Sequence, residues 1–388
     1  MDLFASLFFS PGLFPDFFCT FSKQTLLNTT YIDYSNLSCI INSMTTINKK
    51  IICTILALSF MYTTQIFAAS DFNGREGLIN GPTKAERIVV TFPMSVGLLY
   101  ICDLANNIVG IQTRTMHLHN QKFGEFYQTI SPKLAETTDI GAIGASNIET
   151  VLRLTPDLVM TQTYDSSVSA MINVLNKNKV PVLMLQASNG SIKDWLRTVA
   201  VIGEATGRKS RTDAYIKHYE DCLNLVKSRI ANIPIDSRPK VALVNTNRGN
   251  MILRGSRTRF LYDLMEKAGA KLMERGEDPA DSGTCAEILF AFDPDIIIDD
   301  SRSNEFYNTS WWNLLKPVKE NKVYLTPQDD PQAWVTNWSQ PTYSSLGLLW
   351  LAKIIHPDTF KDIDLKKEHD KFCKLMYGRV LNHYGTAF

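Results

Sequence analysis

Two histidines one residue apart, His117 and His119, lie in a stretch from Thr113 to Pro132 that shows no clean period. Neutral imidazole ligates nickel, copper or iron and can cap a chelated ion at an open coordination position. Both are candidate metal ligands, whereas Met116 beside them reads as packing. A second set is basic: Arg248, Arg254, Arg257 and Arg259 follow one another closely. A guanidinium fork grips carboxylates and anionic chelates bidentately, which suits catecholates, hydroxy-acids or propionates. Arg248 and Arg254 are the candidates, the other arginines reading as solvated. Trp334, in the loop Asp329–Pro341, can offer an indole face to a planar ligand, and Trp338 in that loop either packs or lines the same face. Trp311-Trp312 reads as the packed start of a helix. No G-x-G-x-x-G, P-loop or nucleophile–base set accompanies them, since Gly141-Ala-Ile-Gly144 lacks both pattern and context. Residues of these types hold a ligand; they do not assemble a reaction.

The elements that must position them alternate. Arg87–Thr91, Ile108–Gln112, Leu158–Met160 and Val180–Leu185 read as short apolar strands, with helices over Ser95–Ile101, Ile148–Leu154 and Ser166–Lys177 between them. The second half repeats the theme. Its strands are Lys240–Asn245, Asp295–Asp299 and Lys322–Leu325, and its helices are Phe260–Ala268, Tyr343–Ile355 and Leu365–Asn382. Fully apolar strands alternating with helices predict parallel sheets covered on both faces. Ligands of such sheets bind beyond the strands' carboxyl ends, where the histidine and arginine stretches fall.

Between the halves, Ser191–Ile233 is almost entirely helical in pattern. Ser191 and Asp194 form a capping-box pair, and Ile192, Trp195, Leu196, Val199 and Ile202 recur at helical spacing. Gly207 interrupts, Ser210 is placed to cap again, and Tyr215, Tyr219, Cys222, Val226 and Ile230 carry a second helix roughly 33 Å long. On either side stands one unit written twice: Asn147–Met160 and Thr284–Ile298 each carry a Glu near a helix start, then apolar residues, then Pro-Asp leading into an apolar strand. A repeated unit flanking a long helix predicts two lobes joined by a strut.

These motifs resemble the periplasmic substrate-binding proteins of ABC importers for iron–siderophores, haem and cobalamin, of the helical-bridge type. The two Glu…Pro-Asp segments, the bridge with its Gly203-Glu-Ala-Thr-Gly207 step, and Trp350–Phe360 near the C-terminus carry the resemblance, which runs from about Arg87 onward. It implies two Rossmann-like α/β lobes with mostly parallel sheets, a ligand cleft between them and a bridge that limits closure. It also implies that Glu149 and Glu287 are lobe-surface glutamates that pair with arginines of an inner-membrane permease working with its ATPase. Independently of that, a Glu near a helix start interacts favourably with the helix dipole.

The first residues read as a leader. A basic Asn48-Lys49-Lys50, an apolar run Ile51–Met61 too short to span a membrane, and Ala68-Ala69-Ser70 predict a cleavable signal peptide over 44–70. Residues 1–43 read as an over-long start outside the fold. The expected organisation is then an N-terminal lobe over 71–190, the bridge over 191–233 and a C-terminal lobe over 234–388, exported to the periplasm as a monomer. A net charge of +1 gives no reason to expect nucleic acid as a partner. No CxxC motif or Cys/His pairing is recognised, which disfavours structural zinc, and Cys102, Cys222, Cys285 and Cys373 read as buried thiols. No cofactor is expected. The cargo reading ranks a ferric siderophore first, a nickel or cobalt chelate second, and haem or cobalamin after them. A bare-ion receptor would need more histidines than the loop pair, and His218, His356, His369 and His383 fall on the bridge or the C-terminal helices. The alternative of a different class is a two-lobed α/β enzyme such as a sugar-nucleotide transferase.

Overall fold

Strands as apolar as Ile88–Val90 and Leu158–Gln162 cannot leave either face or edge in water, so each must pair on both sides and be roofed by helices. The computed structural model of the chain describes residues 77–381, apart from 93, 113–125, 127–129, 143, 163–167, 186–189, 248–249, 254–258, 274–281, 301–309 and 330–333. All of these belong to one unit, Ile66–Phe388.

The first half contributes β1 (Gly77–Ile79), β2 (Ile88–Val90), β3 (Ile108–Ile111), β4 (Thr138–Asp139), β7 (Leu158–Gln162) and β8 (Val182–Leu185), with a small ribbon of β5 (Gly141–Ala142) and β6 (Ala145–Ser146). The six-stranded sheet has the order β1-β8-β7-β2-β3-β4, parallel throughout except for β1, which runs antiparallel along β8. Helices α1 (Met94–Ile101), α2 (Ile148–Arg153) and α3 (Val168–Lys177) follow β2, β6 and β7. The second half builds β9 (Lys240–Asn247), β10 (Asn250–Leu253), β11 (Lys271–Leu272), β12 (Ile296–Asp299) and β13 (Val323–Leu325). Here β9 is central, with β12 and then β13 parallel on one side and β11 parallel and β10 antiparallel on the other.

Two helices join the halves, α4 (Ile192–Ala205) and α5 (Lys209–Ile230). Ser191 makes the expected capping box: its hydroxyl accepts from Asp194 N, and its own amide donates to the Asp194 carboxylate at 2.8 Å. A cap at Ser210 does not form. Instead Gly207, at φ +68°, closes α4 with Arg208 N donating to Gly203 O, and α5 starts at once on Lys209. The remaining helices are α6 (Arg259–Lys267), α7 (Ser282–Phe292), α8 (Lys316–Lys319), α9 (Ser344–Ile355) and α10 (Leu365–Tyr377). The last ends earlier than Asn382, because Gly378 adopts the left-handed conformation that stops a helix.

The bridge does not hang between separate cores. Ile88, Val90 and Leu98 of the first half, Trp195, Val199, Tyr215 and Tyr219 of the bridge, and Leu243, Leu264, Trp338 and Leu348 of the second half belong to one continuous apolar cluster. Separate outer cores under α2 and α3 and around α7 cover each sheet's other face. Buried polar groups stitch the junction. Tyr215 Oη accepts from Trp195 Nε1 at 3.1 Å and donates toward Pro341 O and Thr342 O at 3.1 and 3.0 Å. Tyr219 Oη meets Ser344 Oγ at 2.8 Å, and Ile192 N at the start of α4 donates to Asp263 of α6.

Candidate functional site

The repeated unit explains how each half holds its central strand. In the first, Asp157 N donates to Arg87 O while the Asp157 carboxylate accepts from Arg87 N, just ahead of β2. In the second, Asp295 N donates to Lys240 O while its carboxylate accepts from Lys240 N, at the start of β9. Pro-Asp is thus a two-bond clamp between the end of a surface helix and the amino end of the central strand. The residue before each proline, Thr155 or Asp293, takes the same left-handed conformation at φ +44° and +50°. Burial acts to raise the Asp295 carboxyl, but the Lys316 ammonium at 2.6 Å and the Lys240 amide outweigh it and hold the carboxyl low.

The helices before these clamps carry the two glutamates. Glu149 lies in the first turn of α2, where Asn147 caps the helix by accepting from Thr150 N at 3.0 Å. Glu287 lies mid-helix, because α7 begins at Ser282, ahead of the start read from the sequence. The dipole therefore favours Glu149 and does little for Glu287. Both side chains are exposed, and neither makes a hydrogen bond or ion pair among the described residues.

At the strands' other ends the chain changes direction of growth. In the first sheet it builds outward from β2 through β3 to β4, then returns to lay β7 and β8 on β2's other side, so the switch point lies between β2 and β7. A row of buried polar side chains crosses that edge. Val90 pairs with both Ile111 and Met160, which places Gln112, Thr91 and Thr161 side by side one residue on. Thr91 Oγ1 lies 3.1 Å from Thr161 Oγ1, while both amide atoms of the fully buried Gln112 have no hydrogen-bond partner among the described residues. In the second sheet the switch lies between β9 and β12. There Asn245 Nδ2 donates to Asp300 Oδ1 at 2.6 Å beside the buried Asp299. Sequence reading passed over these residues because each looked like the polar end of a strand; only the register puts them in one row.

Of the ligand-binding candidates, His117, His119, Arg248 and Arg254 lie outside the described residues. Near the arginines, β9 and β10 pair antiparallel, with Asn247 opposite Asn250. Trp334 opens a short 3-10 turn, Trp334–Thr336. Trp338 packs. It is fully buried, donates from Nε1 to Asp329 Oδ1 at 2.9 Å, and stacks on His369 at 6.0 Å and 17°. Trp312 is likewise buried, in a 3-10 turn rather than an α-helix.

The expectation of no Cys/His pairing is corrected. His218–Cys222 and His369–Cys373 each stand four apart on a helix, a spacing that brings side chains together and was readable in the sequence. Asp329, His369 and Cys373 bring three potential ligand atoms within 4.8 Å of one another. Their bonding is that of a closed network. Asp329 accepts from His369 Nε2 at 2.7 Å as well as from Trp338. Cys373 Sγ lies almost equally far, 3.6 and 3.5 Å, from the two imidazole nitrogens. A sulfur in the ring plane at those distances would overlap Cε1, so it sits over the ring face, off both lone pairs. Burial also pushes the Cys373 thiol up, keeping it protonated, as it does Cys102 and Cys222, both to about 12. All four described cysteines are buried and form no disulfide among the described residues.

The sequence profile of the periplasmic binding protein family matches residues 88–329. The molybdate-binding protein MolA of Haemophilus influenzae is 23% identical over 349 residues, 84% of this chain and 95% of the relative. An iron-uptake system-binding protein of Bacillus subtilis is 24% identical over 230 residues, covering 56% of this chain and 69% of its own length. Among solved structures, MolA bound to molybdate superimposes with a TM-score of 0.63 at 22% identity, over 78% of this chain and 95% of MolA. Helicobacter pylori CeuE with Ni(II) bound gives 0.57 at 18% identity, over 78% and 92%. At such identities these structures share the two-lobed fold with this chain.

Proposed function

The chain belongs to the periplasmic binding protein family, and we propose that it captures a small metal-containing anion or anionic chelate between its lobes for an inner-membrane ABC permease. Members of this family are transport receptors, which sets aside the transferase alternative. The observation that carries the ligand reading is the polar row Thr91, Gln112 and Thr161 at the switch point of the first sheet. Hydroxyls and an amide with no partner among the described residues offer neutral hydrogen bonds to a solute lying beyond the strands' carboxyl ends. Arg248 and Arg254 supply the charge in this reading, Trp334 an apolar face, and His117 or His119 an axial ligand to a chelated ion. A ferric siderophore is the first candidate, in keeping with the iron-uptake relative. Molybdate is the second, because the relative that matches 84% of this chain carries that name, and nickel, haem and cobalamin chelates follow.

In the same reading, residues 44–70 direct export, the mature chain acts as a monomer, and Glu149 and Glu287 pair with permease arginines. The test is a tryptophan-fluorescence titration of the mature protein with ferric siderophores, molybdate, Ni²⁺ with histidine, haem and cobalamin. Saturable binding of a ferric siderophore that weakens in Arg248→Ala or Arg254→Ala is expected. Binding of molybdate alone moves the second candidate to first, and binding of none of the five overturns the ligand class. Charge reversal of Glu149 and Glu287 together is expected to abolish uptake with ligand affinity intact; loss of affinity would show that the glutamates serve the site instead.

A further inference from the structure

The stretch that carries Trp334 has its two ends tied together. Trp338 N donates to Pro327 O at 2.9 Å, Gln328 and Asn337 form an antiparallel bridge, and Asp329 N donates to Thr336 O at 3.4 Å. The residues that leave this neck press against the first half. Gly97 of α1 has no room for a side chain: a methyl there would run into Thr342 Oγ1 and come within 3.4 Å of Val335 Cγ2. Val335 directly follows Trp334, and α1 begins at Met94, just past Thr91 of the polar row. The turn Trp334–Thr336 of the second half is therefore held beside the helix that leaves the first half's switch point.

What holds the neck is an ionisable pair where apolar side chains could pack. Asp329 is 4% exposed and His369 0%. His369 Nε2 of α10 donates to one carboxylate oxygen at 2.7 Å, Trp338 Nε1 donates to the other at 2.9 Å, and the indole stacks on that same imidazole. Burying such a pair removes hydration that the mutual attraction barely offsets, so apolar residues of similar volume serve stability as well or better. Directional bonds supply what apolar packing does not, namely register: donors from two elements meet on one carboxylate, which leaves the neck one closed geometry. The helix behind His369 is itself fixed. Arg211 of the bridge donates to Met376 O at 3.0 Å, and Phe372 packs on Tyr343 with ring centroids 4.8 Å apart. Contacts thus run from the bridge through α10 and His369 to Asp329 and the turn beside the polar row.

We infer that His369 is a positioning residue for ligand capture: through Asp329 it fixes the turn at Trp334 against the first half, so that the solute meets a site already in shape. This rests on the reading of the polar row and Trp334 as parts of the ligand site. Preorganisation of this kind acts on affinity by removing the ordering that binding would otherwise require. The test uses the mature chain and two variants. Asp329→Asn, His369→Leu abolishes the tie without leaving a buried charge, and the asparagine still accepts from Trp338. His369→Gln keeps a donor to Asp329. Hydrogen exchange without ligand is followed over 326–340, and affinity is measured for a ferric tris-catecholate siderophore and for molybdate. In the double variant, exchange over 326–340 is expected to quicken roughly tenfold or more while α4 and α5 exchange as before. Affinity for the probe that the wild type binds is expected to fall roughly tenfold at an unchanged urea midpoint. His369→Gln is expected to restore both to within about twofold of the wild type. Unaltered exchange over 326–340 overturns the inference, as does quickened exchange there with full affinity. Faster exchange throughout the chain, with a lower urea midpoint, makes the pair a folding element and overturns it too. If the wild type binds neither probe, the proposed ligand class falls, and exchange over 326–340 alone upholds or overturns His369 as the residue that fixes the turn.

Discussion

Replacing Tyr215 with Phe removes one oxygen from the place where bridge and second half meet. The ring stays, so packing against Tyr219 and the central cluster is kept and no cavity opens. What is lost is the hydroxyl that accepts from Trp195 Nε1 at 3.1 Å and donates toward the carbonyls of Pro341 and Thr342. The indole N–H of the buried Trp195 is left with no partner, which costs about 1–3 kcal/mol, and the lost bond to the carbonyls adds about 1. The sum is about 2–4 kcal/mol. At roughly 2 °C per kcal/mol for a protein of this size, Tm should fall by about 4–8 °C. Tyr219→Phe is the control. Among the described residues its hydroxyl meets only Ser344 Oγ, and that serine also donates to Pro341 O at 2.7 Å, so about 1 kcal/mol is expected. Urea unfolding followed by tryptophan emission measures both. A Tyr215→Phe loss no larger than that of Tyr219→Phe would refute the view that this hydroxyl ties the bridge to the second half.

Four further outcomes are expected. Gly203→Ala drives a methyl into the Thr212 side chain where α4 crosses α5, which should cost about 1–3 kcal/mol; Thr212→Ala should recover part of it in the double variant, and strict additivity would count against the contact. Gln112→Met replaces a buried amide that has no partner among the described residues with an apolar chain of similar size, and should raise stability by about 1–3 kcal/mol while weakening ligand binding; a lower urea midpoint would show that the amide is satisfied. Burial lowers the pKa of His218 and of His356, so the unfolded chain binds more protons below the model-compound value of 6.5. Stability should therefore be full above that pH and fall as the pH drops below it, and the slope should shrink in a His218→Gln, His356→Gln variant. Because one core runs through both lobes and the bridge, small-angle scattering of free and loaded protein should differ little; a large compaction would contradict a stiff junction.

The alternation of strands and helices was readable because Ile88–Val90, Leu158–Gln162 and Ile296–Asp299 are apolar runs between turn residues, and the Ser191–Asp194 box needs only residues three apart. The short strands were not. β1 owes its existence to pairing with β8, about a hundred positions away, and β10 to a hairpin whose strand is too brief to show a period. The Pro-Asp repeat was visible, but its purpose depends on amides at Arg87 and Lys240 that sit far off in the chain. Trp338 could not be assigned between cleft and core without knowing that Asp329 and His369 surround it. The His369–Cys373 pairing is legible only at the four-residue spacing of a helix, not at the short spacing of metal-binding loops.

The continuous core also dictates an order of events in time. Trp195 and Tyr215 are covered by Pro341, Thr342, Tyr343 and α9, which come more than a hundred residues later. A chain that appears amino end first has nothing to close its centre with until that last stretch arrives. Its long-range contacts make the closing step slow, and until then the apolar stripe of the bridge stays open to proteases and chaperones.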